Sequence, residues 1–159
     1  MHTDLWNHAL ALYARPGVEA ASLALQELGG DVCLLLCATW LQARGVSADE
    51  QRTAALQALA GPWQRDVVGP LRTLRQQWRE HALADPHLSV LREQVKGLEL
   101  QAERTLLERL EALAREWPAT ADAGQDWLAR LAPDQARNHD ALHQLRVAAR
   151  ELQDAEVGD

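Results

Sequence analysis

The longest apolar run in the chain is Val32-Cys33-Leu34-Leu35-Leu36-Cys37-Ala38-Thr39-Trp40-Leu41. Asp31 precedes this run in the position of a helix N-cap, and Gly45 follows it where a helix would end. As a helix, the run would be apolar on every side, and such a helix is stable only when other elements enclose it. The run therefore predicts a central helix with the rest of the chain packed around it.

Helical periodicity continues on both sides of this run, and no segment alternates apolar and polar residues as a strand does. Amphipathic helices are expected over residues 5–13 and 18–28, and again over 47–60 and 62–78. The last two should be separated at Gly61 and Pro62, because glycine ends helices and proline suits a first turn. Pro70 should bend the second of them.

The longest helix is expected from Pro86 to Trp117, which is about 45 Å at the helical rise. Its apolar stripe has near-heptad spacing, and a similar stripe from Leu142 to Leu152 marks a last helix. If the two stripes meet, the helices form an antiparallel hairpin. We therefore predict one all-α domain, residues 1–159: a compact N-terminal helical bundle (1–84), extended by a long antiparallel helical hairpin (85–154), with a frayed tail at 155–159.

The composition fits a globular domain, since 47% of the 159 residues are hydrophobic and 25% are charged. The formal net charge is −7, from 23 acidic and 16 basic residues. A protein with this acidic excess is not expected to bind anionic partners through positive charge of its own. Nucleic acids and anionic membrane surfaces are therefore not expected to bind.

Two features predict a cytoplasmic location. Cys33 and Cys37 lie one helical turn apart in the most apolar segment, where a disulfide between them would be strained. The N-terminus lacks the basic and apolar regions of a signal peptide, and the longest apolar run is about half of a bilayer span. A reducing compartment is expected, with both cysteines as inert core residues.

Several segments resemble an uncharacterised proteobacterial family of small helical proteins, a domain of unknown function. The resemblance lies in Leu5-Trp6-Asn7-His8-Ala9-Leu10-Ala11-Leu12-Tyr13-Ala14-Arg15-Pro16-Gly17-Val18 and in Asp31-Val32-Cys33-Leu34-Leu35-Leu36. It continues through Gly61-Pro62-Trp63 and Leu71-Arg72-Thr73-Leu74-Arg75, and it fades after Trp117. The resemblance implies a bacterial cytoplasmic protein, and it carries no catalytic residue with it.

A row of arginines is the first candidate site, and it comprises Arg65, Arg72, Arg75 and Arg79. Their spacings of seven, three and four place them in one sector of a helix, where they can contact an acidic partner. The favoured alternative is a solvated face whose arginines pair with acidic residues of the long helix. Those acidic residues are Glu93, Glu99, Glu103 and Glu108.

The second candidate site is a pocket between the N-terminal helices, near Trp6, Tyr13 and Arg15. Apolar walls with a single arginine would suit an apolar carboxylate or a phosphorylated lipid. Trp6 is the tryptophan most expected to contact a ligand or partner. Trp40, Trp63 and Trp78 fall on stripes that are expected to face the core.

His139 and His143 have a spacing that a divalent metal can bridge, but no third ligand is identifiable, so surface histidines are expected. No phosphate-binding glycine loop and no nucleophile motif occurs. We expect no metal, no cofactor and no catalytic residue, although enzyme activity stays open. The favoured interpretation is a protein-interaction or regulatory module, with another protein as partner and a possible homodimer through the long helix. The alternative is a small-molecule binding protein or enzyme that uses the N-terminal pocket.

Overall fold

A computed structural model describes residues 4–120 and 126–158 of the chain, and within them the all-α prediction is confirmed. An isolated β-bridge between Val46 and Ala119 is present as well. Of the described helices, none is both long and apolar enough to cross a membrane. The α-helices are α1 Leu5–Tyr13, α2 Val18–Glu27, α3 Val32–Ala43, α4 Glu50–Trp63, α5 Gly69–Gln77, α6 Arg79–Ala82, α7 Pro86–Ala114, α8 Trp127–Leu131 and α9 Asp140–Val157.

The apolar run forms α3, and this helix lies at the centre of the molecule as predicted. Every residue from 33 to 41 is buried, and helices α1, α2, α4, α7, α8 and α9 all pack against it. Asp31 is its N-cap, with a carboxylate oxygen that accepts a hydrogen bond from the Leu34 backbone N–H at 3.3 Å. The enclosure supplies on every side the apolar contacts that this helix requires.

The last helix has a different neighbour from the one that we predicted. α9 packs chiefly against α2, whereas α7 packs against α5, α6 and α4. The stripe of α9 is buried, including Leu142 and Leu145, but it meets the N-terminal helices instead of the long helix. An amphipathic stripe identifies the side of a helix that is buried, and it does not identify the helix that covers it.

The long helix does belong to an antiparallel pair, and its partner is the segment just before it. The Trp63 indole N–H donates to the Ala102 carbonyl at 2.9 Å, and the Arg92 guanidinium donates to the Arg75 carbonyl at 2.9 Å. Residue numbers therefore increase in opposite directions along the two contacting segments, which makes them antiparallel. We call residues 69–98, from α5 through α6 to the first half of α7, the hairpin.

The expected break at Gly61 and Pro62 is wrong, because α4 continues through both residues to Trp63. A π-helical turn, Gln64–Val68, then joins α4 to α5. This wider turn precedes Pro70, whose ring and missing N–H would disturb a regular helix at that point. A Cβ atom on Gly69 would lie 2.7 Å from the Gln64 carbonyl oxygen, so the turn requires glycine there.

A second unpredicted feature of the core is the buried side chain of His8. Its Nε2 atom lies 2.9 Å from the Thr39 hydroxyl oxygen, and that hydroxyl donates to the Leu36 carbonyl at 2.7 Å. The imidazole N–H is therefore the donor to Thr39. Burial lowers the pKa of His8 from 6.5 to about 4.

Shortening a side chain of α3 tests the central position of this helix. Leu35 has an exposed fraction of 0%, and Leu35→Ala should lower the free energy of unfolding by about 2–5 kcal/mol. Leu83 is 88% exposed, and Leu83→Ala should change stability by no more than about 0.5 kcal/mol. Urea denaturation measures both, and equal effects of the two changes would contradict a central α3.

The buried histidine predicts acid sensitivity. Between its folded pKa of about 4 and its unfolded value of 6.5, the unfolded chain binds the proton and the folded chain does not, so stability falls as the pH falls. The full contribution is about 3 kcal/mol. Urea denaturation at a series of pH values should show a smaller loss for His8→Gln than for the wild type between neutral pH and pH 4. Parallel pH profiles of the two proteins would refute a buried neutral His8.

Candidate interaction surface

A buried carboxylate fixes the base of the hairpin. Glu99 of α7 is only 5% exposed, and two arginines of α5 bind it. Arg75 donates from Nε to Oε2 at 2.5 Å and from Nη2 to Oε1 at 3.2 Å, which is a bidentate geometry. Arg72 donates from Nε to Oε1 at 3.2 Å, and its Nη2 lies 3.9 Å from Glu103. Charge-assisted bonds of this kind are strong and set the relative position of two helices.

Polar groups from the other helices complete this network. Gln26 of α2, in the amide orientation that satisfies its donors and acceptors, accepts from the Arg72 guanidinium at 2.7–3.0 Å. The N-cap Asp31 also accepts from the Gln64 side-chain amide of the π-helical turn at 2.7 Å. The first contact joins α2 to the arginines of the hairpin, and the second joins the cap of α3 to the π-helical turn.

The electrostatics of the network follow from its burial. Burial raises the pKa of Glu103, and the nearby charge of Glu99 raises it further. Burial likewise raises the pKa of Asp31, against the effect of its hydrogen bonds. The hydrogen bond with Glu99 raises the pKa of Arg75. The arginines thus compensate carboxylates that are withdrawn from water.

The four arginines of the predicted row lie in two different environments. The pairing with the long helix is confirmed for Arg72 and Arg75, which bind Glu99, and Arg72 also lies near Glu103. These two side chains are more buried than a solvated face would be, at 18% and 24% exposure. Arg65 pairs with its neighbour Asp66 at 2.9 Å on the surface, and Arg79 is exposed.

Trp6 and Arg15 of the predicted N-terminal pocket contact two different helices. The Trp6 ring lies under the Arg104 guanidinium of α7, with 4.8 Å between them. Arg15 forms an ion pair of 3.1 Å with Glu151 of α9. Tyr13 is 39% exposed at the end of α1, and burial of part of the phenol raises its pKa, as does the nearby charge of Glu19.

Arginine stacking explains part of the unusual tryptophan content. Guanidinium groups lie 4.3–5.3 Å from the ring centroids of four of the six tryptophans. Such cation–π contacts let a large apolar ring close the core at the surface. The pairs are Arg104 with Trp6, Arg44 with Trp40, Arg109 with Trp63 and Arg52 with Trp117.

The histidines and cysteines considered in the sequence lie at a helix terminus, on the surface and in the core. His139 is the N-cap of α9 and accepts through Nδ1 from the Ala141 backbone N–H at 3.1 Å, whereas His143 is exposed. Over the described ranges, no group of three or more metal-ligating side chains is close enough to hold an ion. Cys33 and Cys37 are buried free thiols, and burial raises the pKa of both.

Beyond its base, the hairpin projects away from the core. Neither α5 nor α6 contains a buried residue, and both pack chiefly against α7, each other and the π-helical turn. The first half of α7 buries Val95 and Glu99, while large apolar side chains around them stay exposed. The exposed ones are Leu83, Val90, Leu91, Leu98 and Leu100.

Five apolar residues share one side of the hairpin. Arg72 and Arg75 mark the side of α5 that faces α7, and Arg92 and Glu99 mark the side of α7 that faces α5. Each of these four residues directly follows a leucine. Consecutive residues of a helix are about 100° apart around its axis, so each leucine lies about 100° away from the side that faces the other helix. Because the two helices are antiparallel, these positions lie on the same face of the pair. We call this surface the apolar face; it consists of Leu71, Leu74, Trp78, Leu91 and Leu98.

The apolar face is only partly covered. Leu91 and Leu98 are 49% and 52% exposed, and Leu71, Leu74 and Trp78 are half-buried. An open groove runs beside it along the outer side of α5. The groove is lined by Gln64, Arg65, Gly69, Pro70, Thr73, Leu74 and Gln77. Exposed apolar side chains on one side of a projecting element are typical of a contact site for another protein.

These features define an all-α protein with a central buried helix and a projecting hairpin. Residues 4–110 match a family described as protein of unknown function (DUF2390), and since this is more than half of the 159-residue chain, the protein belongs to that family. The matched residues include the hairpin and the network at its base, and they end before α8 and α9. No curated protein and no solved structure matches the chain.

Removing the buried charge tests the role of the network. Glu99→Gln leaves two arginines without their carboxylate, and it should lower the free energy of unfolding by about 2–4 kcal/mol, less than for a fully buried pair because the arginines keep some exposure. Glu93, on the same helix, is exposed, and Glu93→Gln should cost no more than about 0.5 kcal/mol. Chemical denaturation compares the two variants. Equal stability would show that Glu99 does not hold the hairpin.

Proposed function

We propose that this protein is a cytoplasmic bacterial interaction module that binds another protein through the apolar face of its hairpin. The observation that carries the proposal is the placement of five large apolar side chains on one side of an element that projects from the core. Exposed apolar area of this kind gains free energy when a partner covers it, at about 25 cal/mol per Å².

The anchoring of the hairpin supports this role. A contact surface binds well when it is held rigid before the partner arrives, because less conformational entropy is then lost. The bidentate pair of Arg75 with Glu99 and the bonds of Arg72 hold α5 on α7 at the end nearest the core. The apolar face is thereby presented as a preformed surface.

The two buried thiols support the cytoplasmic location. Cys33 and Cys37 are free, and both lie in the core helix α3. Free cysteines are typical of a reducing compartment, where disulfides are rarely formed. Within the proposal, the family resemblance to proteobacterial proteins supports a bacterial host.

Two leucines of α7 provide a matched test. Leu98, on the apolar face, is 52% exposed, and Leu100, on the other side of the helix, is 57% exposed. Leu98→Glu should abolish capture of protein partners from a bacterial lysate, because it places a charge in the contact. Leu100→Glu should leave the same partners bound. Quantitative mass spectrometry of the captured proteins, with further copies of this chain counted among them, measures both.

Circular dichroism and a denaturation curve for each variant control for folding. Since both side chains are already half in water, neither change should lower the free energy of unfolding by more than about 1 kcal/mol. Identical sets of captured proteins for wild type, Leu98→Glu and Leu100→Glu would show that the apolar face is not the binding surface.

A further inference from the structure

Polar side chains from four helices meet beside the base of the hairpin. Gln26 of α2 accepts from the Arg72 guanidinium of α5, and an Arg72 nitrogen lies 3.9 Å from the Glu103 carboxylate of α7. Ser22 precedes Gln26 by one helical turn, so the two side chains lie on the same side of α2. Tyr13, the last residue of α1, is close enough to Glu103 and Ser22 for both to act on its phenol. We call Tyr13, Ser22 and Glu103 the polar cluster.

The negative charge of Glu103 is only partly compensated. The distance of 3.9 Å to Arg72 is too long for a hydrogen bond. Burial and the charge of Glu99 raise the pKa of Glu103, and this outweighs the opposite effect of Arg72 and Arg75. The charge of Asp31 acts in the same direction as that of Glu99, so three carboxylates share two guanidinium groups. A further positive charge beside Glu103 would therefore be stabilised.

The buried hydroxyl of Ser22 is an independent indication that the cluster is incomplete. Ser22 is 1% exposed, and its Oγ atom is withdrawn from water without a hydrogen-bond partner among the described residues. The hydroxyl lowers the pKa of the Tyr13 phenol, so the two groups are close, but they do not have the geometry of a hydrogen bond. A buried hydroxyl that is left unpaired is unfavourable, and a donor group that enters the cluster would pair it.

We infer that the polar cluster binds the ammonium group of a small primary amine. An ammonium group has three N–H donors and no acceptor, and the cluster offers three acceptors: the Glu103 carboxylate, the Ser22 hydroxyl and the Tyr13 phenol oxygen. Its charge compensates Glu103 through a charge-assisted hydrogen bond, which is stronger than a neutral one. The site does not include the apolar face, so this inference is independent of the proposed function.

The amine has a route to the cluster from solvent. Tyr13 is 39% exposed, and the side chain of Glu103 is 30% exposed, so the ligand can reach both from the surface between α1 and α7. A metal ion fits less well, because over the described ranges no three metal-ligating side chains are grouped closely enough to hold one. The cluster thus selects a cation that is bound by hydrogen bonds.

Nuclear magnetic resonance of the isotope-labelled full chain tests the site, with n-butylamine as the probe. So small a ligand should bind with a dissociation constant of about 1–10 mM, and the backbone amides around Tyr13, Ser22 and Glu103 should shift most. n-Butanol has the same chain without the charge, and tetramethylammonium has the charge without N–H donors. Neither should shift these amides at the same concentration.

Two carboxylates of α7 provide matched variants. Glu103→Gln should weaken the binding of n-butylamine at least tenfold, because the charge that attracts the ammonium is lost. Glu108 is 59% exposed and pairs with Arg104 at 3.0 Å, and Glu108→Gln should leave the dissociation constant within about twofold of the wild type. Tyr13→Phe, which removes one acceptor, should weaken binding by about threefold or more.

The same variants control for folding. Because burial makes the charged form of Glu103 unfavourable, Glu103→Gln should unfold at a higher urea concentration than the wild type at neutral pH. The variant therefore remains folded while it loses the amine.

Three results would overturn the inference. The first is the absence of localised shifts at about 50 mM n-butylamine, well above the expected constant. The second is an equal response to n-butanol or tetramethylammonium, which would show contacts other than ammonium hydrogen bonds. The third is equal weakening by Glu103→Gln and Glu108→Gln, which would show unspecific attraction to a protein with a net charge of −7. None of these results bears on the proposed function, whose test depends on Leu98.

Discussion

The pair of arginines on Glu99 is the interaction on which the arrangement of this protein depends. α5 and α6 bury no side chain of their own, so apolar packing alone holds the hairpin weakly. Glu99 is 5% exposed, and a carboxylate withdrawn from water to that extent is stable only when it is paired. Arg72 and Arg75 can reach it only when α5 lies against α7 in one register. Because a buried and unpaired Glu99 would be unfavourable, the stable position of the hairpin is the one that pairs Glu99 with both arginines.

This constraint links the core to the exposed surface. Arg72 also meets Gln26 of α2, and Asp31, the cap of the central helix, binds Gln64 at the start of the π-helical turn. The base of the hairpin is therefore attached to the packed core by polar contacts on several sides. The apolar face lies beside these contacts, because Leu71 and Leu98 directly precede Arg72 and Glu99, and Leu98 is 52% exposed.

Sequence patterns predicted the helices better than the contacts between the helices. The all-round apolarity of residues 32–41 predicted a central helix, since enclosure is the only stable environment for it. The stripe of α9 gave its buried side but not α2 as its neighbour, and the π-helical turn depends on the Gly69 backbone contact, which has no periodic signal. For the site, the arginine spacing predicted pairing with α7. The burial of Glu99 was not predicted, although its spacing of four from Val95 and three from Ala102 places it on the buried side of α7, unlike the exposed Glu93.

Hydrogen–deuterium exchange of the purified protein tests the central claim most directly. The amides of α3 should exchange most slowly, by global unfolding, and those of α5 and the first half of α7 should exchange by a separate, easier opening. In Glu99→Gln, exchange of the hairpin should accelerate by at least tenfold, which corresponds to about 1.4 kcal/mol, whereas in Glu93→Gln it should stay within about twofold of the wild type. Hairpin amides that are as protected as those of α3 in the wild type, or that Glu99→Gln does not accelerate, would contradict the account.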